Sequence, residues 1–234
     1  MHAMILAAGR GERMRPLSDV RPKALLEVAG RPLIEWQILR LVAGGFPDVV
    51  INLAWLGAAI KSRLGSGKDL GARIAYSAEA EALDTLGGIV QALPLLGDQP
   101  FAVTSADIYT HFDYSTLAAR IRADTYPDPV AHWVLTDNPP YHREGDMALE
   151  GPLVARVGAK LTYANIGVYH PAMFAGLAAG AKLKLFPWAY QFVDQKRVSG
   201  EYFSGVWHNV GTADDLHALV RSLAVPPAAL PAHG

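Results

Sequence analysis

Residues 3–16 read AMILAAGRGERMRP: an apolar run, then Gly9 and Gly11, then Arg10, Arg13 and Arg15 packed around Glu12. Residues 3–7 have the composition of a buried strand, and a glycine pair directly behind it marks a turn at the strand's carboxyl end. In open α/β sheets that end is where ligands bind. Working outward, the same alternation continues. Residues 32–44 carry apolar side chains at Leu33, Ile34, Ile38, Leu39, Leu41 and Val42, a helical stripe with Pro32 at its start and Gly44–Gly45 at its end. Residues 49–52 (VVIN) predict a strand, 58–64 a helix, 73–77 (RIAYS) a strand, 86–96 a helix and 101–105 (FAVTS) a strand. This βαβαβαβ order calls for a parallel sheet with helices on both faces and right-handed crossovers.

The second half is less regular. Residues 130–136 predict a strand, 137–146 (DNPPYHREGD) a turn-rich segment and 147–157 two short strands about Gly151–Pro152. ANIGVYH (164–170) predicts a strand, the following HPAMF the start of a helix, and EYFSGVWHNVG (201–211) a hairpin-like pair. Residues 213–223 predict a closing helix, with Thr212 as its N-cap and Asp214 and Asp215 suiting its first turn. The tail 225–234 is Pro/Ala-rich and expected to be loose. No internal repeat is visible.

Composition narrows the function. The chain has 234 residues, 51% hydrophobic and 18% charged, enough for one large folded domain over 1–224. Lys and Arg number 21 against 22 acids, a net charge of −1, which argues against a general nucleic-acid surface. The absence of cysteine excludes disulfides, thiolate catalysis and cysteine-ligated metals. No apolar run reaches 18 residues and the N-terminus lacks a signal-peptide pattern, so the expectation is a cytoplasmic protein with no membrane partner.

Arg10, Arg13, Arg15, Arg21 and Lys23 lie within fourteen residues of a chain with no basic excess. Pro16 and Pro22 keep that stretch from forming a charged helix, so it is an extended loop able to aim charge at one anion. The glycines would let backbone N–H groups approach a phosphate. The loop has neither the GK[ST] ending of a Walker A sequence nor the third glycine of the dinucleotide fingerprint. A solvated charged face on an ordinary strand-to-helix turn is the competing reading.

Two linked motifs, LAAGRGERMRPL (6–17) and RPKALLEVAGRPLIE (21–35), resemble the signature of the sugar-1-phosphate nucleotidylyltransferases. The resemblance runs through FAVTSAD (101–107) and WHNVGT (207–212). It implies a single Rossmann-like nucleotidyltransferase domain built on a mostly parallel mixed sheet, with a nucleotide half near 1–110 and a sugar half near 111–224. It implies a reaction between UTP and a sugar 1-phosphate giving a UDP-sugar and pyrophosphate, with Mg²⁺, in a monomer or small homo-oligomer. The implied sugar is N-acetyl-α-muramate 1-phosphate, of peptidoglycan recycling. Glucose or mannose 1-phosphate, phosphocholine with CTP, and a non-catalytic nucleotide-sugar-binding homologue remain as alternatives.

The resemblance implies roles for particular residues. Arg13 would hold the β- and γ-phosphates and Lys23 would bridge the α-phosphate and the sugar phosphate. Ala8, Gly9, Gly11 and Glu12 would supply the backbone cradle. Asp107 would bind Mg²⁺, with Asn209 standing where the family has an aspartate. Glu79, Thr85 and Gly87 fall in the base-recognition region, where a carboxylate at Glu79 would suit the uracil N3–H; a solvated loop acid is the other reading. Leu86 replaces a glycine there and is expected to crowd the loop. Ser105, Asp146 and Asn165 would bind the sugar, turn formation being the alternative for the last two. His111, His132, His142, His170 and His208 show no zinc spacing and are expected at the surface or in loops. Trp55, Trp133, Trp188 and Trp207 are expected in core or rim packing.

Overall fold

The structure, a computed structural model, describes residues 1–123 and 128–224; the expected loose tail, 225–234, lies outside them. Strand β1 (His2–Leu6) enters the middle of a nine-stranded sheet. A loop carrying helix α1 (Leu17–Val20) and a two-strand ribbon, β2 (Glu27–Val28) with β3 (Arg31–Pro32), leads to helix α2 (Leu33–Ala43). Then come β4 (Asp48–Leu53), α3 (Gly57–Leu64), β5 (Arg73–Ala78), α4 (Asp84–Leu96) and β6 (Phe101–Ser105), each close to its expected bounds.

The large sheet has the order β5-β4-β1-β6-β11-β8-β12-β10-β9. Its remaining strands are β8 (Ala131–Thr136), β9 (Ala148–Glu150), β10 (Leu153–Ala155), β11 (Thr162–Tyr169) and β12 (Val198–Phe203). From the pairings, β5, β4, β1, β6, β8, β12 and β9 run one way and β11 and β10 the other, so the sheet is mixed but mostly parallel. From β1 the chain moves outward to β4 and β5, then returns to β1's other side as β6. That reversal opens a crevice at the carboxyl ends of β1 and β6.

Strand alternation divides the core. Ala3 and Ile5 of β1 pack with Ile34, Ile38 and Leu41 of α2, Ile60 and Leu64 of α3, and Leu117 of helix α5 (Ser115–Ala123). Met4, between them in sequence, packs on the opposite face with Leu86, Ile89 and Val90 of α4 and with Phe101, Trp133 and Phe174. Helices therefore cover both faces, and each fully buried aliphatic side chain contributes about 1.5–3 kcal/mol of transfer free energy. No helix of the described residues is long and apolar enough to cross a membrane.

Two local expectations fail. EYFSGVWHNVG is not a hairpin: β12 pairs in parallel with β8, whereas β13 (Trp207–Asn209) pairs with β7 (Ile108–Thr110) in a separate ribbon. Gly205 and its neighbours turn the chain out of the large sheet and carry it back to the N-terminal half. There helix α7 (Ala213–Ala224) buries Leu216 and Leu219 against Met14, Leu26, Val28 and Leu33. HPAMF forms only a 3₁₀ turn, Pro171–Phe174; the α-helix of this region is α6 (Tyr190–Asp194). His132 is also not a surface residue. It is fully buried on β8, with Nδ1 at 2.9 Å from the Ser199 hydroxyl and Nε2 at 3.4 Å from Glu201.

Candidate active site

Three adjoining cavities form a trough along the carboxyl ends of β1 and β6. The first, about 350 Å³, is lined by Gly9, Gly11, Glu12, Arg13, Lys23, Ala106 and Asp107, among others. The second, about 230 Å³, shares Leu6, Gly9 and Asp107 with it and adds Ala8, Asn52, Asp84, Thr85 and Ser105. The third, about 370 Å³, meets the first at Arg13 and is lined by Tyr141, His142, Asp146, Tyr163, Asn165, Trp207 and Asn209.

The opening loop is held in a tight, glycine-dependent turn. Gly11 adopts φ +67°, the left-handed region, and caps a 3₁₀ turn over Glu12–Met14. The Ser18 hydroxyl donates to the Gly11 carbonyl at 2.8 Å, and the Lys23 stem packs where a Gly11 Cβ would stand, 3.3 Å from it. Glycine is required there on both counts. At Gly9 an added Cβ would meet no atom of the described residues within 4 Å. The backbone N–H groups of Ala8 through Arg13 make no hydrogen bond with any described residue. Consecutive free donors of this kind attract anions.

Arg13 is exposed and makes no hydrogen bond or ion pair with a described residue. Its guanidinium lies beside Gly211, whose absent Cβ leaves 3.3 Å to Nη2. Lys23 Nζ donates to Asp107 Oδ2 at 2.5 Å in a largely buried pair, side chains 13% and 28% exposed. The β7–β13 ribbon sets Asn209 opposite Ile108, and the Val210 N–H donates to the Asp107 carbonyl at 2.9 Å, so Asp107 and Asn209 stand on neighbouring backbone segments. The Asn209 Oδ1 is buried without a hydrogen-bond partner among the described residues. Thr212 caps α7 as expected: its hydroxyl accepts from the Asp215 N–H, and the Asp215 carboxylate accepts from Gly211 and Thr212.

The third cavity has its own framing. Asp146 Oδ2 accepts from the Tyr163 N–H at 2.8 Å, and its Oδ1 lies 3.0 Å from His142 Nε2. Asn165 sits at φ +54° in the register break of β11 between Tyr163 and Gly167, and a bulge of this kind re-aims a side chain. The Trp207 indole donates to the Ala164 carbonyl at 2.9 Å, fixing that bulge from outside. The Tyr141 phenol is raised above its ordinary range, first by partial burial and then by the carboxylates of Asp215 and Asp107, so it stays neutral at physiological pH.

The trough thus gathers Arg13, Lys23, Ala8, Gly9, Gly11, Glu12, Thr85, Ser105, Asp107, Asp146, Asn165 and Asn209. Two base-loop expectations are not met. Glu79 is buried, with Oε1 accepting from Asn52 at 2.7 Å and Oε2 from the Leu83 N–H at 2.9 Å, so both its oxygens are engaged within the cavity wall. Gly87 donates its N–H to Leu183, and the Ala181 carbonyl would stand 2.3 Å from its Cβ; this glycine permits close chain packing outside the cavity wall. Leu86 points into the core beside Ile89 and does not crowd the loop. Sequence reasoning missed Asn52, Tyr141 and Gly211. Asn52 carried a usable signal, a polar residue near the carboxyl end of an apolar strand; Tyr141 sits in an irregular turn with none.

The fold is an α/β sheet with a cation-lined crevice at the carboxyl ends of its central strands. The chain belongs to the nucleotidyl transferase family, whose sequence pattern matches residues 2–224. It is an enzyme of that kind, which bears out the resemblance carried by residues 6–35. More narrowly, it is 49% identical to the N-acetylmuramate alpha-1-phosphate uridylyltransferase of Neisseria meningitidis serogroup B, covering 91% of this chain and 94% of that one. It is 33% identical to the protein of the same name from Caulobacter vibrioides, over 89% and 91% of the two chains. In fold it matches a Bacillus anthracis protein crystallised with sucrose at TM-score 0.84, 18% identity and 97% coverage of each chain.

Proposed function

We propose that this enzyme transfers the uridylyl group of UTP to N-acetyl-α-muramate 1-phosphate, releasing pyrophosphate, as a cytoplasmic step of peptidoglycan recycling. The observation that carries the reading is the junction of two cavities at Arg13, one walled by free backbone N–H groups and cations, the other by an amide, a carboxylate and aromatic rings. The names of the two relatives supply the sugar. Residues near 1–110 would hold the nucleotide and residues near 111–224 the sugar, the stretch around Asn209 and Gly211 crossing back. One chain builds the whole trough, which suits a monomer or a small homo-oligomer.

Both reactants are anions, and two unit charges 4 Å apart at an effective dielectric near 20 interact by about 4 kcal/mol. The enzyme's task is to offset that repulsion where charge develops. A phosphate oxygen of the sugar attacks the α-phosphorus of UTP, the bond to the β-phosphate oxygen breaks, and pyrophosphate leaves with the electron pair. The nucleophile is already ionised and needs no general base. Lys23 holds the attacking phosphate against the α-phosphate. Arg13 and the N–H groups of the loop hold the β- and γ-phosphates and stabilise the departing charge. Thr85 and Ser105 border the nucleoside, and Asp146 and Asn165 bind the sugar.

Asp107 and Asn209 fit a Mg²⁺ ion. Mg²⁺ takes one or two protein oxygens and fills its shell with water and phosphate. The orphaned, buried Oδ1 of Asn209 is an acceptor awaiting a partner, and Asp107 has one carboxylate oxygen on Lys23 and another to give. No group of three or more His, Asp or Glu residues able to hold a metal occurs among the described residues, which suits an ion held largely by substrate. When bound, the ion would neutralise phosphate charge beside Lys23. Asn209→Asp adds a full charge and is expected to lower the Mg²⁺ concentration for half-maximal rate about three- to tenfold. An unchanged Mg²⁺ titration would show that this residue does not touch the metal.

Pyrophosphate release from a matrix of nucleoside triphosphates and sugar 1-phosphates tests the whole reading. The largest kcat/KM is expected for UTP with N-acetylmuramate 1-phosphate. A different best pair would reassign the substrate. No release from any pair, with nucleotide binding intact, would make the protein a non-catalytic nucleotide-sugar-binding homologue.

A further inference from the structure

Resting on the reading above, we propose that Glu79 is a positioning residue: acting through Asn52, it sets the glycine loop and the α4 wall of the nucleotide cavity together and does not touch the base. The contacts run across three adjacent parallel strands. The Asn52 Oδ1 accepts the Ala7 N–H at 2.8 Å, directly after β1's last ladder position, where Leu6 stands opposite Asn52. The side chain thus continues the β1–β4 pairing one residue beyond its backbone rungs and fixes the residue from which Ala8 and Gly9 depart. The Asn52 amide nitrogen donates to Glu79 Oε1 at 2.7 Å, and this decides which way the amide faces. With the amide reversed, an N–H would confront the Ala7 N–H.

The other carboxylate oxygen of Glu79 accepts the Leu83 N–H at 2.9 Å, the residue before Asp84 and Thr85 in the cavity wall. One carboxylate therefore ties both walls. It is 8% exposed and Asn52 3%, and each Glu79 oxygen is engaged within the wall. The arrangement also accounts for Gly88. A Cβ there would stand 2.7 Å from the Asn52 amide nitrogen and 2.9 Å from Glu79 Oε1, so α4 lies directly on the pair.

The polarity of this relay can be inverted. In Asn52→Asp with Glu79→Gln, the aspartate accepts from Ala7 and from the glutamine amide, and the glutamine oxygen accepts from Leu83. Every donor again meets an acceptor. Each single change fails: Glu79→Gln sets its NH₂ against a donor, and Asn52→Asp sets two carboxylates face to face. Each single variant is expected to raise KM for UTP at least tenfold with KM for the sugar phosphate unchanged. The double variant should return to within about threefold of the parent. The UTP-to-CTP ratio of kcat/KM should hold within twofold in all three. In parallel, amide hydrogen exchange at Ala7 in the free protein should quicken in the single variants and slow again in the double.

A double variant no better than its worse single parent would overturn the proposal. So would a shift of more than fivefold in the nucleotide ratio from Glu79→Gln alone, which would return base reading to this carboxylate. Should the parent enzyme turn over no nucleotide at all, the functional reading fails, while the Ala7 exchange series still decides whether the relay sets the loop.

Discussion

Arg13→Ala is expected to lower kcat by roughly 10²–10³-fold, about 3–4 kcal/mol of transition-state stabilisation, while the protein keeps its fold. The two halves of that expectation have separate grounds. Arg13 is exposed and bound to no described hydrogen-bond or ion-pair partner, so the folded state loses almost nothing with it, and Tm should move by no more than a degree or two. All five guanidinium donors are consequently free for phosphate, and the bidentate geometry suits a departing pyrophosphate. KM for UTP should rise less than kcat falls, since the charge on the leaving group grows along the reaction. Steady-state kinetics beside a thermal melt measure both. Near-normal kcat in a folded Arg13→Ala protein would remove this residue from the chemistry.

Lys23→Met should cost about as much in rate, and it isolates the charge. The aliphatic stem that packs against Gly11 is retained, so the loop keeps its support. Here stability does fall. The ammonium pairs with Asp107 in a largely buried position, and its loss leaves a half-desolvated carboxylate without its donor, about 1–3 kcal/mol. Lys23→Arg keeps the charge on a broader, planar group and should recover less than a tenth of the lost rate. A Lys23→Met enzyme with more than a tenth of parental kcat would show that Lys23 serves only to hold Asp107.

The opening strand, the α2 stripe and FAVTS were legible because each is a local pattern: a run or a period, bounded by glycine or proline. The cradle was legible for the same reason, its glycines and cations lying within one short stretch. Pairings between distant segments were not. Nothing local tells Trp207–Asn209 to leave β12's sheet and pair with Ile108–Thr110. The base loop misled in the same way. Glu79 meets Asn52 across a separation of 27 residues, and Gly87 is closed over by a chain segment nearly a hundred residues later, around Ala181–Leu183. A carboxylate beside a predicted ligand site looks identical on paper whether it binds the ligand or holds the wall. The third cavity was only partly visible, because the backbone irregularity that aims Asn165 lies inside a strand.

The return of residues 207–216 to the opening loop makes the site depend on a distant part of the chain. Arg13 has Gly211 for a neighbour only because the segment after β13 folds back onto the opening loop. The same ribbon brings Asn209 into Asp107's neighbourhood. The trough is therefore complete only when the ribbon of Trp207–Asn209 with Ile108–Thr110 is closed. Nucleotide bound across that seam would fasten together two segments nearly two hundred residues apart in the chain.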